Sequence, residues 1–76
     1  MPNADAEVDA RGLNCPMPIL RAKKGFLGLS AGQVLHIIAT DPGSVKDFNS
    51  YCAQAGYEMV DTSDSGGEFH FYIRKK

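Results

Sequence analysis

The sequence predicts a small α+β domain: a two-layer α/β sandwich, βαβαββ, with a mixed four-stranded sheet and two helices on one of its faces. Three observations carry that expectation. The chain has 76 residues, which is room for one domain near the lower limit at which a hydrophobic core suffices without staples. Its apolar pattern passes from period two to helical spacing, repeats that change once, and closes on two extended runs. Gly- and Pro-containing clusters punctuate the changes. Hydrophobic residues make up 43% of the chain and charged residues 22%, an ordinary globular balance that points neither to disorder nor to a membrane span.

Residues 1–5 read as a flexible polar tail and residues 6–76 as the single domain. Ala6-Glu7-Val8-Asp9-Ala10 alternates small or apolar with acidic residues, as a half-buried strand does. Arg11-Gly12-Leu13-Asn14 is a loop. Pro16 and Pro18 then stand where proline is tolerated, in the first turn of a helix, so the first helix is expected from about Pro16 to Leu29. At about 100° per residue, Ile19, Leu20, Ala22, Phe26, Leu27 and Leu29 fall on one arc that packs on the sheet, with Met17, Arg21 and Lys24 opposite. Gly25 and Gly28 weaken this helix by roughly 1 kcal/mol each relative to Ala, and Ser30-Ala31-Gly32 ends it. Lys23 falls inside the apolar arc, either as a long stem reaching out to water or as a cation near an anionic site.

Gln33 to Thr40 is nearly continuous and rich in branched residues, the composition of a central strand. Asp41-Pro42-Gly43 breaks it. Ser44-Val45-Lys46-Asp47 has the form of a variant capping box, with Ser44 as cap and Asp47 answering three residues on. Val45, Phe48, Cys52 and Ala55 keep helical spacing, and Gly56 is a natural stop. Tyr57 to Thr62 and Glu68 to Arg74 form a hairpin around Asp64-Ser65-Gly66-Gly67. The last strand turns Phe69, Phe71 and Ile73 to one face and His70, Tyr72 and Arg74 to the other. A parallel first pair requires a right-handed crossover, which lays the first helix against the sheet.

Composition narrows the function. The net charge of -1 gives no general excess of positive charge with which to hold phosphates, so direct nucleic acid binding is not expected. No apolar run approaches the roughly 20 residues of a spanning helix, and Met1 to Ala6 lacks the basic start and apolar stretch of a secretory signal; the expected location is cytoplasmic. Two cysteines are too few for a disulfide scaffold, and no Cys/His spacing suggests a structural metal.

Cys15 is the residue with chemistry in its surroundings. It lies where a strand-to-helix loop enters the first helical turn, close to the N-cap. The positive end of the helix dipole there is expected to lower its pKa below the free value of about 8.5. Pro16 and Pro18 supply no N–H, so the thiolate is expected to be only moderately stabilised and its sulfur transferable. Both helices begin at the carboxyl ends of parallel strands, and that shared edge suits an anion or persulfide. Position alone leaves a reactive thiol and an inconsequential capping residue equally open. No second cysteine stands nearby for dithiol exchange, and neither His36 nor His70 is placed to serve as a base; both read as sheet-face histidines. Cys52 lies on the apolar stripe of the second helix and reads as an inert buried thiol.

The run Arg11-Gly12-Leu13-Asn14-Cys15-Pro16-Met17-Pro18-Ile19-Leu20 resembles the C-P-x-P signature of the TusA family of small sulfur carriers, also called SirA-like proteins. Ala39-Thr40-Asp41-Pro42 with Asp47 is similar to that family's D-P segment and following aspartate, and the resemblance covers about residues 6 to 75. It implies that Cys15 is the catalytic residue, accepting sulfane sulfur as a persulfide from a cysteine desulfurase or rhodanese-type donor and passing it to an acceptor such as a DsrE-like or TusD-like carrier. Pro16 and Pro18 match the two prolines, for which a geometric role is inferred. Asp41 and Asp47 match acidic positions that are structural or partner-contacting. Met17, Arg21 and Lys24, beside the site, are candidates for docking or an ordinary solvated face. The fold implied is the same two-layer sandwich, and no cofactor beyond the covalent sulfur is required. The expected activity is that of a sulfurtransferase-type carrier rather than a stand-alone multiple-turnover enzyme.

Two rivals are carried forward. A small nucleic-acid-binding or regulatory module is disfavoured by the charge and by the lack of a basic aromatic strand motif. A redox or selenium-handling thiol protein shares Cys15 but differs in cargo. Thiolation of tRNA, molybdenum cofactor supply and dissimilatory sulfur oxidation all use carriers of this kind, and the sequence does not choose among them or fix an oligomeric state.

Overall fold

The computed structural model describes residues 4–76. The first strand, β1, covers Ala6–Ala10, followed by α1 (Met17–Leu27), β2 (Val34–Ala39), α2 (Ser44–Ala55), β3 (Glu58–Ser65) and β4 (Glu68–Arg74). The sheet order is β1-β2-β4-β3, with β1 parallel to β2 and the remaining pairs antiparallel. This is the expected mixed sheet, and both helices pack on one of its faces. Of the expected tail, residues 1–3 lie outside the described residues. Asp5 is held to β2: its N–H donates to the Val34 carbonyl and its carboxylate accepts from the Val34 N–H, both at 2.8 Å.

Alternation along the strands fixes what each face carries. Leu35, Ile37 and Ala39 of β2 and Phe71 and Ile73 of β4 enter the core together with Ala22, Phe26, Phe48 and Cys52 from the helices. Phe48 meets Phe71 at a ring separation of 4.7 Å. The opposite face holds Glu7, His36, His70 and Tyr72. The hairpin turns on Gly66 and Gly67, at φ 59° and 82°, the left-handed backbone that a two-residue turn needs between twisted strands. Gly56 ends α2 at φ 74° with its N–H on the Cys52 carbonyl, as its position predicts.

Three local expectations are corrected. First, α1 starts at Met17 and ends at Leu27, capped by Pro16 and Gly28, a narrower helix than Pro16 to Leu29. Second, its buried line is Pro18, Ala22 and Phe26, so the packed arc is rotated by roughly 60° from the one drawn through all the apolar residues. The reason is Gly25. A Cβ there would stand 2.8 Å from Val8 Cγ2 and 3.2 Å from Leu35 Cδ2, so the helix is seated on the sheet through the absence of that atom. Leu20 and Leu27 are thereby turned outward, 48% and 83% exposed, and Lys23 becomes exposed with its Nζ 5.7 Å from the Tyr51 ring centroid.

Third, the capping box does not form. Gly43 is the N-cap of α2, with no side-chain cap. Ser44 is buried among the core residues and its Oγ has no hydrogen-bond partner. The helix buries Ser44, Phe48 and Cys52, whereas Val45 and Ala55, expected on the same stripe, are exposed. With Ser44 turned inward, Asp47 is free to face another element.

Candidate functional site

The loop from Arg11 to Asn14 is tied at several points before it reaches Cys15. Arg11 donates from Nε and its amide to Asp9 Oδ1, each at 3.0 Å, and from its second guanidinium nitrogen to Asp9 Oδ2 at 2.9 Å. The Arg11 bonds hold the Asp9 carboxyl at about 2, below the usual carboxylate range. The Gly12 N–H donates to Thr40 Oγ1 at 2.9 Å. Gly12 takes φ 77°, a left-handed turn suited to glycine. These bonds fasten the loop to the end of β2.

Cys15 follows as an exposed free thiol, two residues before α1 rather than at its N-cap. The Cys15–Pro16 peptide is cis. The Met17 N–H donates to the Asn14 carbonyl at 2.9 Å and the Leu20 N–H to the Pro16 carbonyl at 3.2 Å. Pro16 and Pro18 have no N–H to offer. The opening of α1 therefore presents little that would solvate a sulfur anion, as the two prolines lead one to expect.

The charge around the thiol differs in sign from the expectation. Asp41 and Asp47 both approach Gly43, at 3.3 Å and 3.8 Å from where its Cβ would be, and both act on the Cys15 thiol. Asp47 as an acceptor for the thiol, then partial desolvation, then the negative charges of Asp47 and Asp41 push the Cys15 pKa above its ordinary value. The predicted lowering by the helix dipole is overturned. A helix end acts as about half a charge, and here it meets carboxylates carrying whole ones. The edge shared by the two helix N-termini is acidic where it meets the sulfur, not anion-attracting.

The other candidates divide clearly. Pro18 is buried against the core side of α1, and Pro16 caps the helix. Met17, at 44% exposure, lies with Leu20, Lys24 and Leu27 on the outward face of α1, and Arg21 is exposed on its flank. All three charged residues of α1 are cations, so the face continuous with Cys15 is apolar and positive. Leu20 and Leu27 were missed as surface residues; Gly25, a small residue on the face next to Ala22 and Phe26, is the signal that would have found them. Cys52 is 6% exposed, and burial raises its pKa. Among the described residues, no group of three or more His, Cys, Asp or Glu is placed to hold a metal, and no helix is long and apolar enough to cross a membrane.

Comparison with known proteins is consistent with this arrangement. The family model described as sulfurtransferase TusA matches residues 6–75. The chain is 59% identical over 75 residues to the sulfur carrier protein TusA of Allochromatium vinosum, covering 99% of both chains. It is 42% identical over 72 residues to the TusA sulfur carrier of Pseudomonas entomophila, covering 95% of this chain and 90% of that one. The crystal structure of a SirA-like protein from Desulfitobacterium hafniense superposes with a TM-score of 0.79 at 27% identity, covering 91% of this chain and 95% of the other. With the C-P-x-P loop, the D-P segment and the sandwich all in place, this chain belongs to the TusA sulfurtransferase family.

Proposed function

We propose that the chain is a sulfur carrier that takes up sulfane sulfur as a persulfide on Cys15 and passes it to an acceptor protein. The observation that carries this reading is the contrast between its two thiols, one exposed on an anchored loop and the other buried in the core. In the first step the Cys15 thiolate attacks the outer sulfur of a donor persulfide. A new S–S bond forms at Cys15, the donor's S–S bond breaks, and the donor cysteine leaves as a thiolate. In the second step an acceptor thiolate attacks the outer sulfur on Cys15, which leaves as thiolate in turn. Each transfer exchanges one S–S bond for another, so neither needs a metal, an organic cofactor or an external oxidant.

Asp47 receives a natural part in this cycle. With Asp41 it favours the protonated form of the resting sulfur. The same two carboxylates form an acidic contact for a partner, while Met17, Leu20, Arg21 and Lys24 offer an apolar and positive one. Fitting partners are a cysteine desulfurase or rhodanese-type donor and a downstream carrier, meeting this chain in the cytoplasm.

The decisive experiment is mass spectrometry of the wild-type chain and Cys15→Ser after incubation with a cysteine desulfurase and cysteine. One added sulfur on Cys15 in the wild type, and none in the variant, is expected. An adduct on Cys52, or on neither cysteine, overturns the reading.

A further inference from the structure

The sheet face turned away from the helices carries a line of polar groups that sulfur transfer does not use. His36, only 8% exposed, lies at its centre. Its Nδ1 is 2.9 Å from Glu7 Oε2 and its Nε2 is 2.9 Å from His70 Nδ1. The His36 ring stacks on Tyr72 at 4.4 Å and 2°, and the His70 ring meets it edge to edge, with centroids 5.1 Å apart and 20° between the planes. His70 Nε2 faces Glu68 Oε1 at 3.6 Å, and Glu68 Oε2 lies 3.4 Å from Arg11, which is forked onto Asp9. From β3, Ser63 stands opposite His70 and Asp61 opposite Tyr72, and the Arg74–Glu58 pair lies beyond them. The line thus runs from β1 through β2 and β4 to the first residue of the Cys15 loop.

Hydrogen-bond chemistry limits how many protons this line holds. A carboxylate only accepts, so His36 Nδ1 carries the proton directed at Glu7. Between His36 Nε2 and His70 Nδ1 there is room for a single proton while their bond stands. With both rings neutral that proton is on His70, whose Nε2 is then a bare acceptor facing the Glu68 carboxylate. One added proton on that Nε2 completes the line, since the imidazolium donates to His36 on one side and to Glu68 on the other. A second added proton sets N–H against N–H and breaks the bond between the rings.

We propose that the His36–His70 pair is a one-proton switch whose filling draws Glu68 toward His70 and away from Arg11, slackening the ion pair at the entrance of the Cys15 loop. Imidazole is the side chain that ordinarily changes charge between about pH 5 and 8, the range in which such a switch is useful. Glu68 is its moving part because one carboxylate serves two cations, with neither contact closed to an ideal distance. The Asp9 fork keeps Arg11 from leaving altogether, so the response is a local loosening of residues 11–13 rather than unfolding.

The test is nuclear magnetic resonance of the full chain from about pH 8.5 to about pH 5.5, following the ring nitrogens of both histidines and the backbone amides. One common titration step is expected for the two rings, with one proton taken up by the pair. The amides of Arg11, Gly12 and Leu13 should move with the same midpoint. In Glu68→Gln the ring step should persist while those amides stop following it, and in His70→Gln the loop response should also be lost. Two separate proton uptakes by the rings, loop amides that ignore pH in the wild type, or a loop response that survives in both variants would each overturn the proposal.

Discussion

At Cys15 two influences of opposite sign meet. The start of α1 attracts negative charge weakly, because Pro16 and Pro18 lack N–H groups and the Met17 N–H already serves the Asn14 carbonyl. Asp47 and Asp41 oppose it with full charges and raise the thiol pKa. The thiolate is therefore the minor form at neutral pH, and its rate of alkylation should climb about tenfold per pH unit through the neutral range. Asp47→Asn removes the largest cause, lowers the pKa, and is expected to speed alkylation at pH 7 several-fold, with the advantage vanishing once both proteins are fully ionised. Asp41→Asn, which removes only the smallest cause, should act in the same direction by less. Iodoacetamide kinetics across pH check both, and an unchanged or slower Asp47→Asn sinks this account. The cysteine and its motif were legible in the sequence, because the residues adjoin one another. The sign of the local field was not, since Asp47 lies 32 positions away in the chain and had a plausible alternative use in a capping box.

The helices show how one missing atom directs an element. Counting apolar residues places the centre of the α1 arc between Ala22 and Leu27, but the close approach of Gly25 to Val8 and Leu35 draws it back to the line of Pro18, Ala22 and Phe26. Propensity alone predicts that Gly25→Ala and Gly28→Ala both stabilise α1, by up to about 1 kcal/mol each. The packing predicts that they part ways. A Cβ at Gly28 makes only an ordinary van der Waals contact, 3.7 Å from the Gly25 carbonyl oxygen, and Gly28→Ala should be neutral or stabilising. Ala at Gly25 presses on a stiff branched side chain and should cost about 1–3 kcal/mol of overpacking, outweighing its helical gain. Chemical denaturation of the two variants decides the matter: a stabilised Gly25→Ala contradicts the seating described, and adding Val8→Ala should restore part of the loss. The same rotation leaves Met17, Leu20 and Leu27 outward among the cations of α1. Arg21→Ala with Lys24→Ala should slow sulfur transfer from an acidic-faced donor more at low than at high salt, because exposed charges steer encounter within about a Debye length. Equal slowing at every ionic strength removes these residues from the docking surface.

For the molecule as a whole, the element order and the choice of inner face were legible, because the apolar period changes from element to element and period-two alternation assigns each side chain to one side of the sheet, whereas the strand order β1-β2-β4-β3 is a finding of the structure. The line from Glu7 to Glu68 was not legible either, since it joins residues of three strands that only register brings together. The same architecture separates the site from the core. Phe48, Phe71, Leu35, Ile37 and Ile73 are fully buried in one cluster, whereas Cys15 stands outside it on an exposed loop. A chain of this length has roughly 4–11 kcal/mol of stability at about 0.05–0.15 kcal/mol per residue. Phe48→Ala removes a ring packed against Phe71 and is expected to cost about 3–5 kcal/mol, a large share of that total. Cys15→Ser changes no packed contact and should fall within about 0.5 kcal/mol of the wild type. Urea denaturation of both variants measures these differences directly. A loss above about 1 kcal/mol in Cys15→Ser would mean that the thiol also supports its loop, and the absence of sulfur on that variant could no longer be read as chemistry alone. Equal stability leaves the thiol itself as the difference between a chain that carries sulfur and one that does not.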